Sequence, residues 1–186
     1  MTDARGIDPV EIPAGDWVLR PPQPEDAAEA LTMLSDPEVR QWNPVPSVVD
    51  LASATTWLTR GADWTSGDHA TFSVIEVATG LLAGNVSLHR IDREQVGASI
   101  GYRVAPWARG RGVATAAVAA VTEWSFREVG LARVELCHSV TNPASCRVAV
   151  KTGYPLEGTL RQSMVYGDGE RYDEHIHGRL ASDPQP

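Results

Sequence analysis

The chain has 186 residues, the size of one domain with a core of its own, and its 42 % hydrophobic and 22 % charged residues exclude a disordered or collagen-like polymer. A net charge of −8 and a pI near 5.0 exclude broad phosphate-reading surfaces, which need an excess of Lys and Arg, so neither a nucleic-acid nor a membrane partner is expected and any anion site must be local. Cys137 and Cys146 stand apart with no CxxC or Cys/His spacing near them. They read as two buried thiols, with no disulfide framework and no metal site. Met1 to Pro9 has no apolar signal-peptide core, which makes the cytoplasm the default location.

Residues 1–15 carry no periodicity and read as a loose N-terminal arm, with the domain running over 16–181 and a tail at 182–186. A first strand is expected at Trp17 to Arg20, closed by Pro21 and Pro22, then a helix from Glu25-Asp26 to Ser35 and a second from about Val49 to Arg60. Between the helices, Trp42-Asn43-Pro44-Val45-Pro46 reads as a rigid loop. Its Trp42 is a candidate wall of a substrate cleft, with simple packing the competing reading.

Three strands follow, Thr71 to Val77, Leu82 to Ile91 and Gln95 to Val104, the last with strict alternation of Val96, Ala98, Ile100, Tyr102 and Val104 against smaller or polar residues. A long helix is expected from Val113 toward Gly130, a strand from Arg133 to Val140, and a helix opened by Asn142-Pro143. A hairpin around Gly167-Asp168-Gly169 closes the domain. The order gives about seven strands and four helices in a mixed α/β layer fold.

Chemistry concentrates at one junction. The 28 residues between Glu94 and Glu123 hold no acid but carry Arg103, Arg109 and Arg111, and the loop Arg109-Gly110-Arg111-Gly112 lies directly ahead of a helix start. Unpaired backbone N–H groups and the helix dipole favour a phosphate at such a place, and glycine lets the backbone approach it. The loop has no lysine for a Walker motif and lacks the third glycine of the dinucleotide fingerprint.

Arg109-Gly110-Arg111-Gly112-Val113-Ala114 matches the [RQ]-x-x-G-x-[GA] acetyl-CoA loop of the GNAT N-acetyltransferases. Ile100 to Pro106, Asn142-Pro143-Ala144-Ser145, Lys151-Thr152-Gly153-Tyr154 and the terminal Gly167-Asp168-Gly169 hairpin resemble the RimJ/RimL-like branch in order, over roughly residues 16 to 182. The resemblance implies a GNAT fold with a mostly antiparallel sheet whose fourth and fifth strands splay apart. It implies acetyl-CoA as co-substrate, with no metal. Backbone groups of Arg109, Gly110, Arg111, Gly112, Val113 and Ala114 would hold the pyrophosphate, Thr115 would stand at the helix start, and Val104 and Asn142 would meet the pantetheine arm.

Ser145 would protonate or position the leaving thiolate, with a plain helix-start hydroxyl as the competing reading. The general base is open. The relatives' glutamate positions correspond here to Met164 and Ser99, which leaves His138 and Glu135 as candidates, on opposite faces of one strand, and His89, His175 and His177 behind them. The expected activity is transfer of acetyl to a primary amine, foremost a protein or peptide N-terminus. A small-molecule N-acetyltransferase and a non-catalytic acyl-CoA-binding module are the alternatives. A homodimer is compatible with the resemblance.

Overall fold

The computed structural model describes residues 6–186, and the first five residues of the expected arm lie outside the described residues. Among the described residues, eight strands form one sheet in the order β1-β2-β3-β4-β5-β6-β8-β7. They are β1 (Ile12–Ala14), β2 (Trp17–Arg20), β3 (Ala70–Glu76), β4 (Leu82–Asp92), β5 (Gly97–Val104), β6 (Arg133–Ser139), β7 (Leu156–Val165) and β8 (Arg171–Leu180). The helices are α1 (Ala27–Ser35), α2 (Pro37–Trp42), α3 (Leu51–Ala62), α4 (Val113–Trp124) and α5 (Pro143–Lys151). None of them is long and apolar enough to cross a membrane.

Two elements exceed the sequence expectation of seven strands and four helices. Within the segment expected to be a loose arm, β1 pairs with β2, and Ile7 is buried with its N–H on the Trp64 carbonyl at 3.1 Å. Pro37 to Trp42 form α2, so Trp42, expected to open the loop, ends a helix instead. Asp36 caps it by accepting from the Glu38 and Val39 amides at 3.1 Å, and Pro37 supplies a first-turn residue that needs no N–H partner. The cysteines also differ from the expectation: Cys137 is exposed and Cys146 half-buried, because Cys137 faces away from the side of β6 that carries Val134, Leu136 and His138 into the interior.

Residues Ala70 to Ile75 and Leu82 to Val86 are buried at every position, so helices cover both faces of the sheet centre. Trp64, Phe72 and Trp124 meet ring to ring there, with centroids 4.8 to 6.1 Å apart. Every strand pair is antiparallel except β5 with β6. That parallel pair is joined only at Gly97↔Arg133, Ala98↔Val134 and Ser99↔Glu135. Beyond Ser99, β5 stays with β4 and β6 stays with β8, so the two strands part and a wedge opens in the sheet. The expected splay of the fourth and fifth strands is thus present between β5 and β6.

Candidate active site at the strand gap

A cleft of about 350 Å³ lies at this wedge. The loop from β5 delivers one wall. Gly110 (φ +75°) and Gly112 (φ +81°) are left-handed, Gly112 is the N-cap of α4, and a Cβ at either would meet nothing within 4 Å. The glycines are needed for the backbone conformation, and the space beside them is open to a ligand. Val104, Arg109, Gly110, Gly112 and the first α4 residues Val113, Ala114 and Thr115 line the cleft. Arg111 is the one member of the expected cofactor set that does not.

The two loop arginines do not present free charge. Arg109 pairs with Asp36 and with Glu38 at 3.0 Å, and Arg111 pairs with Glu76 while its guanidinium lies 5.1 Å from the Trp17 ring centroid. Their side chains fasten the loop to α2 and β3, which leaves the backbone amides to face the cleft. Cationic side chains with no ion pair among the described residues come from elsewhere: Arg147 and Lys151 line it from α5, four residues apart and hence on one helix face. Sequence reasoning passed over this i, i+4 pair, which was legible as the chain's only lysine one turn after an arginine.

α5 forms the second wall. Asn142 caps it by accepting from the Ser145 amide at 3.1 Å, and both residues line the cleft. Ser145 Oγ takes no part in the cap. It accepts a 2.9 Å hydrogen bond from the Tyr102 hydroxyl on β5, a partner the sequence reading did not single out although its alternation places Tyr102 beside Ile100 and Val104. Burial pushes the Tyr102 phenol above its ordinary range, and the Ser145 bond offsets only part of that. The phenol is therefore a neutral donor at physiological pH.

Trp42 lines the same cleft from the end of α2. Its ring meets Tyr166 and Tyr172 edge-on at 5.6 and 6.3 Å, which ties the β7–β8 hairpin to this wall. At Gly167 a Cβ would fall 1.9 Å from the Arg40 carbonyl oxygen, so only glycine lets the hairpin tip dock on α2, where its N–H donates to the Gln41 carbonyl at 2.9 Å.

Neither candidate base reaches the lining. Glu135 lies on the opposite face of β6 and is held by Arg133, which it shares with Glu157. His138 is buried, its Nδ1 donates to the Ser139 carbonyl at 2.8 Å, and its Nε2 faces His177. Burial, foremost, holds the His138 imidazole below its ordinary value. Glu38 is the single carboxylate among the lining residues, and Arg109 engages it.

Comparison with known proteins agrees with this architecture. The acetyltransferase (GNAT) domain family matches residues 17–155. YoaA of Bacillus subtilis (strain 168), an uncharacterized N-acetyltransferase, is 26 % identical over 161 residues, covering 86 % of this chain and 90 % of that protein. The ribosomal-protein-serine acetyltransferase of Escherichia coli (strain K12) is 32 % identical over 100 residues, 53 % of this chain and 55 % of that protein, so that match spans about half the length of each. Among solved structures, Mycobacterium smegmatis RimJ in complex with CoA-disulfide superposes with a TM-score of 0.80 at 25 % identity, covering 96 % of this chain and 88 % of that one.

Proposed function

The chain belongs to the acetyltransferase (GNAT) domain family, and from that premise we propose that it transfers the acetyl group of acetyl-CoA to the α-amino group of a protein or peptide N-terminus. What carries the reading is the Gly112-capped start of α4 opening into the gap between β5 and β6. A diphosphate fits there because helix-start amides converge on it, the helix dipole favours negative charge, and no Cβ occupies the space. Arg147 and Lys151 add cationic side chains for a ligand with several phosphates, while the edge of β5 beyond Ser99, which β6 does not pair and where Asn43 engages the Tyr102 carbonyl, offers its remaining backbone groups to the amides of an extended arm.

Acetyl-CoA supplies an activated thioester. As the amine nitrogen bonds to the acyl carbon and the carbon–sulfur bond breaks, the nitrogen loses a proton and the sulfur needs one. Ser145 serves the sulfur: its oxygen accepts from Tyr102, so its own O–H is free to point into the cleft, and Tyr102 can replace that proton. The departing amine proton goes to water, since Glu38 is engaged by Arg109 and neither His138 nor Glu135 lines the cleft. A protein acceptor is supported by the name of the Escherichia coli relative and by an aromatic side chain in the cleft wall, Trp42, which Tyr166 and Tyr172 of the closing hairpin back from outside the lining.

The test is release of free CoA thiol at saturating acetyl-CoA, with peptides bearing free N-termini, the same peptides N-formylated, and polyamines. Turnover on free but not formylated N-termini is expected. Turnover on polyamines alone would move the acceptor to small molecules. Binding of acetyl-CoA without release above background for any amine would identify a non-catalytic acyl-CoA-binding module.

A further inference from the structure

Beneath α5, on the face of the sheet opposite Glu135, four side chains from three elements converge: His138 on β6, His175 and His177 on β8, and Cys146 on α5. One ligand-type atom from each lies within 4.8 Å of every other. The β6–β8 register sets His138 opposite His175 and Leu136 opposite His177, so the three imidazoles share one face.

The hydrogen bonds fix the tautomers. His138 Nδ1 lies 2.8 Å from the Ser139 carbonyl oxygen and His177 Nδ1 lies 3.0 Å from the Tyr154 carbonyl oxygen. Carbonyls only accept, so both Nδ1 atoms carry a proton, and in the neutral rings both Nε2 atoms present lone pairs. Those two Nε2 atoms face each other at 3.2 Å. Two lone pairs at that separation repel unless a cation lies between them. His175 adds a buried Nδ1 with no hydrogen-bond partner among the described residues, and Cys146 adds a thiol.

From this arrangement we infer that His138, His175, His177 and Cys146 form a binding site for a divalent zinc-class ion. Two nitrogens bound to such an ion at tetrahedral angles stand about 3.3 Å apart, given zinc–nitrogen bonds of about 2.05 Å. The His138–His177 separation already matches. The carbonyl partners on Nδ1 are the outer-shell contacts that orient metal-bound imidazoles. Three imidazoles and one thiolate suit a borderline-soft ion, and four protein ligands leave no open position, so the ion is structural. Binding breaks the Cys146 S–H bond, forms a sulfur–metal bond and releases one proton to solvent. The bound ion clamps β6, β8 and α5 together one residue from Ser145.

The experiment uses the tag-free full chain, stripped with chelator and titrated with Co²⁺ alone. One Co²⁺ per chain is expected, with the intense visible bands of a tetrahedral ion and a thiolate-to-cobalt charge-transfer band. Cys146→Ser should remove the charge-transfer band, and His175→Ala should weaken binding by about 10-fold or more. Far-UV circular dichroism of each variant confirms folding, and His175, less buried than His138 or His177, is the variant least exposed to core collapse. No stoichiometric Co²⁺ binding by the folded chain overturns the inference, as does unchanged binding in both variants. A ¹⁵N spectrum showing one imidazolium shared between His138 and His177, unmoved by added Zn²⁺, also overturns it, because a proton then fills the role assigned to the metal.

Discussion

Tyr102 reaches from β5 across the opening of the sheet to donate to Ser145 Oγ at 2.9 Å, while the amide of the same serine is held at 3.1 Å by Asn142. The helix-capping duty therefore belongs to Asn142, and the Ser145 hydroxyl is left to the cleft. This separation gives Ser145 and Asn142 different expected phenotypes.

Ser145→Ala should lower kcat by about 100-fold, the lower range for a proton donor in a transition state, with the acetyl-CoA dissociation constant and the melting temperature nearly unchanged. Tyr102→Phe should lower kcat in the same sense but less, since the serine hydroxyl remains. Asn142→Ala should instead cost about 1 kcal/mol of stability as a lost cap. Steady-state kinetics and thermal melts on the same three preparations check the assignment. A Ser145→Ala enzyme with wild-type kcat and a lowered melting temperature would return the serine to a helix-start role.

The loop ahead of α4, proposed to hold the diphosphate, makes a second distinction, between backbone and side chain. Gly112→Val forces a β-branched residue to φ +81°, where even an ordinary L-residue costs about 1–2 kcal/mol, and so should distort the α4 start and weaken acetyl-CoA binding by more than 10-fold. Arg109→Ala removes a guanidinium already committed to Asp36 and Glu38, so affinity should change by less than about 3-fold while stability falls. Calorimetric titration of acetyl-CoA into both variants gives the ordering. Unimpaired binding by Gly112→Val would place the diphosphate elsewhere.

The strands were legible because alternation is a local signal: Val96 to Val104 announced β5, and the buried runs of β3 and β4 sat between turn residues. The loop, its glycines and Ser145 were legible because their spacing is fixed along the chain. What escaped lacked such a signal. β1 has three residues and α2 six, too short for periodicity, although Asp36-Pro37 was a readable helix start. The ion pairs of Arg109 and Arg111 join residues 73 and 35 positions apart, so a patch that looked cationic along the chain is partly neutralised in space. His138, Cys146, His175 and His177 converge only through the β6–β8 register and the seat of α5, which no ligand spacing in the sequence encodes.

Asp36 supplies a pH-dependent prediction. Burial alone would raise its carboxyl, but the Arg109 hydrogen bond, the Val39 amide, the Arg109 charge and the Glu38 amide together hold it below its ordinary value of 3.8. A group lowered on folding contributes stability that is full above its unfolded value and is lost as pH falls through the folded one. Asp36→Asn keeps a competent N-cap and removes the charge. Wild type should therefore exceed Asp36→Asn in melting temperature at pH 5 to 7, and the gap should close as the pH drops below about 4. A gap independent of pH would mean that the Arg109–Asp36 pair contributes no net stability.

The last prediction concerns how the acceptor arrives. The chain carries −8 overall, and the stretch from Gln95 to Thr122 carries +3, which leaves −11 on the remainder. Asp36, Glu38 and Glu76, which pair with Arg109 and Arg111, belong to that remainder, so −8 is left beyond the loop's ion pairs, and the field of that excess attracts amines that are protonated in bulk water. Such an acceptor must shed its proton before attack, so kcat/KM should rise with pH toward the amine's own pKa. Salt acts on the capture step: exposed charges are screened beyond about 10 Å at 0.1 M, so kcat/KM for a cationic peptide should fall between about 20 mM and about 0.5 M salt while kcat holds. The measurement is made at saturating acetyl-CoA, which removes the cofactor's own salt dependence. A flat kcat/KM across that range would assign the acidity to solubility alone and leave acceptor choice to the shape of the Trp42 wall.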